Sequence, residues 1–252
     1  MDSKTRFSNR VANYAKYRPG YPPEVLEYLS RVVGLGRESA VADIGSGTGI
    51  LTSLLLDVAR LVYAVEPNTE MRLATEGLLK KRKNFVSVDG SAEDTRLTVN
   101  SVDLVTVAQA FHWFDRQKTK TEFGRILKNR GRVALMWNNR ETKGNEFSEQ
   151  YEELLRTHAI DYNEVNHTKL GDEDFKKFFR DGKYESAVFE NRQPEMDFDT
   201  LLGRVLSASY VPLPGQDNYE DFVERLRRIF DRTNRNGSVV LRYMTVVYCG
   251  EI

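Results

Sequence analysis

The residues with the most chemical content cluster in two short stretches of the amino-terminal half. The first is Gly45-Ser46-Gly47-Thr48-Gly49, which follows the apolar run Val41-Ala42-Asp43-Ile44 and precedes Ile50-Leu51-Thr52. Glycine reaches positive φ without steric cost and has no Cβ. A glycine-rich turn between a strand and a helix therefore lets a ligand lie against backbone while the helix offers its unpaired N–H groups. The second is Glu66, which ends the run Leu61-Val62-Tyr63-Ala64-Val65 and stands 21 positions after Gly45. That spacing is near the one at which a carboxylate holds a ribose in dinucleotide folds. Two acceptor oxygens match a vicinal diol, so Glu66 is expected to accept both ribose hydroxyls. The dinucleotide fingerprint is G-x-G-x-x-G, however, and here the third glycine comes one residue early. This argues against an NAD-dependent oxidoreductase, although Glu66 and the same sheet would serve one equally well.

Two further residues are placed for work on a second ligand. His112, in Phe111-His112-Trp113-Phe114, follows the apolar run 102–107. Imidazole titrates near neutrality and open α/β sheets put their sites beyond strand carboxyl ends, so His112 is the candidate general base. The flanking aromatics equally allow a hydrogen-bonded core ring. Arg140, in Trp137-Asn138-Asn139-Arg140, ends the run that begins at residue 132 and is expected to face an acceptor pocket. A guanidinium fork pairs bidentately with a carboxylate, whereas a solvated loop arginine would do nothing of the kind. Tyr210, before Pro212 and Pro214, is a weaker candidate for the pocket wall, and His158 and His167 read as surface residues. The three histidines and the single Cys249 form no metal-ligand spacing, so no metal is expected.

These residues need elements to position them. Between 38 and 138, short β-branched runs alternate with stretches of helical period, the signature of βαβ units around a parallel sheet. Strands are expected at 40–44, 61–65, 85–88, 102–107 and 132–137, with helices starting near Gly49, Thr69 and Arg116. Several of the strands are apolar nearly throughout, as strands covered on both faces must be. Beyond them the sequence predicts helices at 146–159, 172–180, 198–207 and 219–234. It also predicts strands at 184–190 and 238–249, the last lying antiparallel beside the first or inserted next to it. No Pro-rich or Gly/Ser-rich linker divides the chain, so one domain of residues 1–252 is expected.

Composition narrows the partners. Lys plus Arg and Asp plus Glu each number 37, leaving no basic field for phosphate backbones or anionic lipid. Nucleic acid and membrane partners are therefore not expected. The sequence starts in polar residues without an apolar leader, and one cysteine allows no intrachain disulfide, which fits a cytoplasmic setting. No heptad pattern proposes a coiled coil, and the oligomeric state stays open.

The runs Val41 to Gly49, Ala64-Val65-Glu66-Pro67 and Ser101-Val102-Asp103-Leu104-Val105 resemble the first, second and fourth motifs of class I S-adenosylmethionine-dependent methyltransferases. Within that superfamily, Tyr14-Ala15-Lys16-Tyr17-Arg18-Pro19-Gly20-Tyr21-Pro22 and Gln109-Ala110-Phe111-His112-Trp113-Phe114-Asp115 are similar to the methyltransferase type 11 group, which includes trans-aconitate methyltransferase-like proteins. The resemblance implies an α/β, Rossmann-like, seven-stranded and mostly parallel sheet with helices on both faces and an antiparallel strand near the carboxyl terminus. It implies a transferase that uses S-adenosyl-L-methionine to methylate a small molecule, a carboxylate or a hydroxyl. A non-catalytic protein that kept the cofactor is the second rival to this reading, beside the NAD enzyme.

By the same resemblance, Asp43, Gly45, Ser46 and Gly47 would hold the methionine part and Glu66 the ribose, with Pro67 and Asn68 on the rim. Ser91, Ala92 and Glu93 would meet the adenine; Ser91 stands where many relatives carry aspartate, and Glu93 shares the task. Gln109 would line the methionine end, and Tyr14, Arg18 and Tyr21 would come from an amino-terminal segment, 1–23, folded over the cofactor core at 38–138. The segments 139–183 and 195–237 would be helical substrate-side insertions. Where enzymes acting on exocyclic base amines or protein amides carry Asp/Asn-Pro-Pro-Tyr/Phe, this chain reads Ala108-Gln109-Ala110-Phe111. Methyl transfer from a sulfonium is an in-line displacement that needs alignment and exclusion of water. It needs a base only for a neutral hydroxyl or a protonated amine.

Overall fold

A computed structural model describes residues 8–163 and 170–252. His167 and the first seven residues of the amino-terminal segment lie outside that range. Seven strands form one sheet: β1 Ala40–Ile44, β2 Leu61–Val65, β3 Phe85–Val88, β4 Val102–Ala108, β5 Leu127–Arg140, β6 Glu185–Asn191 and β7 Tyr243–Gly250. Their order is β3-β2-β1-β4-β5-β7-β6, and β7 alone runs antiparallel, inserted between β5 and β6. This is the Rossmann-like, mostly parallel sheet that the sequence implied.

Both faces of the sheet are apolar because alternate residues of the same strand feed opposite cores. Val41, Leu104, Ala134, Met136 and Val247 pack under helices α2 (Glu24–Val33) and α3 (Ile50–Val58). Ala42, Ile44, Val105, Val107, Val133 and Leu135 pack on the other side, under α5 (Arg116–Ile126) and α7 (Asp172–Phe178). Each fully buried aliphatic side chain contributes about 1.5–3 kcal/mol, so the two cores fix the strand ends that carry the site. Between β2 and β3, α4 (Thr69–Leu79) starts at an Asn68 cap whose side chain accepts the Met71 N–H.

Helices α6 (Glu146–His158), α8 (Phe198–Leu206) and α9 (Tyr219–Thr233) surround a third core that includes Leu155, Leu201, Phe222 and Leu226. The amino-terminal helix α1 (Val11–Tyr17) buries no residue of its own and lies on α8. Gly203 allows the approach, since a Cβ there would stand 2.3 Å from the Tyr17 ring. Arg10 fastens this strap by donating to the carbonyls of Leu206 (2.9 Å), Ala208 (2.8 Å) and Val211 (2.6 Å). Arg204 donates back to the Tyr17 carbonyl at 2.7 Å.

Three elements depart from the sequence expectation. The strand expected at 132–137 runs over Leu127–Arg140. The expected strand at 238–249 begins only at Tyr243, and residues 238 and 239 make isolated bridges to Arg235 and Met196. Helix α7, expected among the substrate-side helices, packs instead on the sheet. Phe175, Phe178 and Phe179 bury there in one cluster with Phe111, Phe123 and Trp137.

Candidate active site

Four strand ends converge on one cleft. Gly45 and Gly47 follow β1, Glu66 and Pro67 follow β2, Ser91, Ala92 and Glu93 follow β3, and Gln109 follows β4; Tyr14 of the strap faces them. The glycine loop is tied to β2 by Gly45 N–H and Ser46 N–H, both donated to the Val65 carbonyl at 2.9 and 3.2 Å. Gly45 holds φ +68, and a Cβ there would meet the Ala110 Cβ at 2.8 Å. Gly47 holds φ +57, and a Cβ there would point toward Met71 and Tyr14, both of which line the cleft. The turn therefore keeps bare backbone against the cleft, a cradle that any side chain would fill.

Glu66 is 7% exposed. Its Oε2 accepts the Gly47 N–H at 2.9 Å and its Oε1 accepts the Asn68 N–H at 2.8 Å. Burial pushes its pKa up, and those two N–H groups and Arg72 oppose the rise. Each carboxylate oxygen takes one backbone donor and keeps lone-pair capacity for another, which is what a vicinal diol requires. Ser91 Oγ accepts the Asp94 N–H at 3.3 Å, and Glu93 Oε1 accepts the Asp115 N–H at 3.1 Å, so both polar groups stand on anchored turns. Apolar Met71, Ala92 and Phe114 supply flat contact between them. The donor set and the cradle fit a nucleoside linked to an amino-acid tail.

Four expected cofactor residues do not line this cleft. Asp43 alternates onto the α3 face of β1, where it is 1% exposed and accepts Thr52 Oγ1 at 2.6 Å and Thr106 Oγ1 at 3.0 Å. It secures the strand end from behind. Burial raises its pKa to about 6, against the hydrogen bonds from the two threonines. Ser46 turns its Oγ into the protein, where it meets no hydrogen-bond partner among the described residues. Arg18 and Tyr21 sit beyond the strap's turn and line a neighbouring chamber instead. Asn138 and Asn191 hold that turn in place, each donating its side-chain amide to the Gly20 carbonyl, at 3.0 and 2.8 Å.

The chamber has a volume of about 390 Å³, within the range of small-molecule pockets. Tyr14, Gln109 and Trp113 line both it and the cleft, so the two spaces share a wall. Gln109 is held at φ +60 with its N–H on the Met136 carbonyl, a left-handed conformation unusual for a side-chain-bearing residue. His112 lines the chamber, while its neighbour Phe111 takes the fully buried core position. Asn138, Asn139 and Arg140 line it too; Trp137 alternates to the other face and packs against Phe111 and Phe175.

Arg140 Nη2 donates to Glu152 Oε2 at 2.5 Å, and its guanidinium lies 4.7 Å from the Tyr151 ring centre. Burial works against the Arg140 charge, but the oxygens of Tyr151, Tyr162 and Tyr210 outweigh it and raise the pKa. Tyr210, the expected pocket-wall residue, lines the chamber. The sequence reading missed Tyr151, Glu152, Tyr162, Arg204 and Tyr243. They come from four distant segments, and only folding brings them together. Met71, Trp113 and Phe114 were missed in the cleft, where they look like any other apolar residue.

Among the described residues there is no cluster of His, Cys, Asp or Glu fit to hold a metal, and no helix is long and apolar enough to cross a membrane.

Residues 42–135 match the family model described as a methyltransferase domain. An uncharacterized methyltransferase of Schizosaccharomyces pombe is 27% identical over 250 residues, covering 97% of this chain and 96% of that protein. An uncharacterized methyltransferase of Mycobacterium tuberculosis is 37% identical over 142 residues, 56% of each chain, so the match spans about half that relative's length. A solved structure from Anaeromyxobacter dehalogenans, assigned as a type II methyltransferase, superposes with a TM-score of 0.67 at 21% identity. It covers 93% of this chain and 98% of that one, a likeness in fold.

Proposed function

We propose that the whole protein, whose residues 42–135 match a methyltransferase domain, uses S-adenosylmethionine to methylate a small acceptor molecule that carries a carboxylate, with a carboxylate or hydroxyl oxygen receiving the methyl group. The observation that carries this reading is the shared wall of Tyr14, Gln109 and Trp113, which puts the glycine-loop cleft and a separate chamber on either side of one contact. S-adenosylmethionine held in the cleft would supply a sulfonium methyl group for in-line transfer to the acceptor oxygen, the C–S bond breaking as the C–O bond forms.

The chain's own residues hold and align. Glu66 would accept the ribose hydroxyls, Ser91 or Glu93 the adenine amino group, and the backbone at Gly45 and Gly47 would lie along the methionine tail. Tyr14 and the strap exclude water from the meeting point, a condition that favours displacement at a charged centre. Arg140 would orient the acid group of the acceptor. A carboxylate oxygen needs no base; for a neutral hydroxyl, His112 is a group on the chamber wall able to take the proton.

Isothermal titration with S-adenosylmethionine, S-adenosylhomocysteine and NAD tests the cofactor without the acceptor. Binding of the first two and none of NAD is the expected result, and binding of NAD alone would overturn the reading.

A further inference from the structure

The charges of the chamber do not balance. Among the described residues, Arg18, Arg140 and Arg204 line it against one acid, Glu152. Arg18 Nη2 donates to the Ser207 carbonyl at 3.0 Å and Arg204 Nη1 to the Tyr17 carbonyl at 2.7 Å, so both cations rest on neutral partners. Arg140 spends Nη2 on Glu152 Oε2, and its Nη1 is buried with no hydrogen-bond partner among the described residues. Glu152 Oε2 also accepts Tyr162 Oη at 2.9 Å, while no described residue donates to Oε1. The pair thus offers one open cationic donor beside one open anionic acceptor. A buried donor without a partner is costly, which marks it as a place that a ligand completes.

We propose that the Arg140–Glu152 pair recognises a hydroxy acid: the carboxylate of the acceptor molecule meets Arg140 Nη1, and a hydroxyl on the neighbouring carbon donates to Glu152 Oε1. The inference rests on the chamber's being the acceptor site. An ammonium group would suit Glu152 taken alone. Two uncompensated arginines in the same chamber oppose a cation, so the electrostatics select the neutral donor. Tyr151, Tyr162, Tyr210 and Tyr243 supply the rest of the wall as ring faces and hydroxyls, with Tyr162 and Tyr210 edge to face at 4.9 Å. Such a wall takes a flat apolar body behind the polar pair.

Four probes of matched shape test this in titrations of the protein saturated with S-adenosylhomocysteine: mandelate, 2-methoxy-2-phenylacetate, phenylacetate and 2-phenylglycine. Mandelate should bind about tenfold or more tightly than phenylacetate, since its hydroxyl donates to a carboxylate. The methoxy compound keeps the oxygen but has no proton to give, and should gain nothing over phenylacetate. Phenylglycine should bind more weakly than mandelate. In Glu152→Ala the advantage of mandelate over phenylacetate should vanish. Equal binding of mandelate and the methoxy compound, or an undiminished mandelate advantage in Glu152→Ala, overturns the hydroxyl contact while acid binding as such stands. Failure of all four acids to bind overturns the acceptor-acid reading and the hydroxyl contact with it.

Discussion

The carboxylate of Glu66 accepts the Gly47 N–H at 2.9 Å, so the acid after β2 and the glycine loop after β1 are joined directly and form one unit. Glu66→Ala should weaken S-adenosylmethionine binding by on the order of 1–3 kcal/mol, the value of a charge-assisted hydrogen bond. Sequence alone suggests that folding would be largely untouched. The structure adds a stability loss, because the N–H groups of Gly47 and Asn68 lose their acceptors. Titration and thermal melting of the same variant separate the two effects. Unchanged affinity would remove Glu66 from the ribose.

The two cleft glycines should fail in different ways. At Gly45 an added Cβ meets Ala110 at 2.8 Å on top of its positive φ, so Gly45→Ala should lower stability by about 2 kcal/mol or more. At Gly47 the nearest atoms are 3.8 Å and 3.9 Å away, leaving about 1–2 kcal/mol for the backbone conformation alone. Gly47→Ala should therefore lose more cofactor affinity than stability, as read by melting and titration side by side. The opposite ranking would mean that the loop faces elsewhere.

Asp43 carries a native pKa of about 6 against its ordinary 3.8. The folded state thus binds this proton more tightly than the unfolded state. Its stabilising contribution is whole below the ordinary value and is lost as pH rises through about 6, a difference of roughly 3 kcal/mol. Urea denaturation at a series of pH values should show wild type losing this contribution over that window, and Asp43→Asn, which still accepts from Thr52 and Thr106, losing less. Parallel curves would show that burial of Asp43 does not set its proton affinity.

His112 lines the chamber and Phe111 holds the core beside it, so His112→Ala should leave the melting temperature and S-adenosylhomocysteine affinity nearly unchanged. With a hydroxyl acceptor, turnover should drop about 10²- to 10⁴-fold, and the limb of the pH–rate profile near neutrality should disappear. A lowered melting temperature with normal turnover would assign the ring to packing.

The cofactor half of the site was legible because it is local. Strand, glycine turn, helix, strand and acid follow one another within Ala40 to Glu66, and each carries its own signal of composition and spacing. Asp43 lies on β1, which is buried on both faces: the sequence shows an acid at a strand end but not which way the alternation turns it. Arg18 and Tyr21, expected over the cofactor, line the chamber, and the backbone between them is held by the Asn138 and Asn191 contacts to Gly20. Those contacts span 118 and 171 residues and leave no local trace. The chamber was hardest to read for the same reason. Arg140 stood out by its position after β5, whereas Glu152 is one acid among several on the polar side of an amphipathic helix. Its pairing with Arg140 exists only in the folded chain.

Arg10 reaches carbonyls that lie 196, 198 and 201 residues further along the chain. During synthesis from the amino terminus, the strap is therefore made well before the carbonyls that seat it. A nascent chain that has produced β1 through β5 but not residue 211 already owns the glycine loop and Glu66, beneath an open roof. In the finished molecule Tyr14 of α1 lines that cleft, so a wall of the site made early is seated only by carbonyls made late.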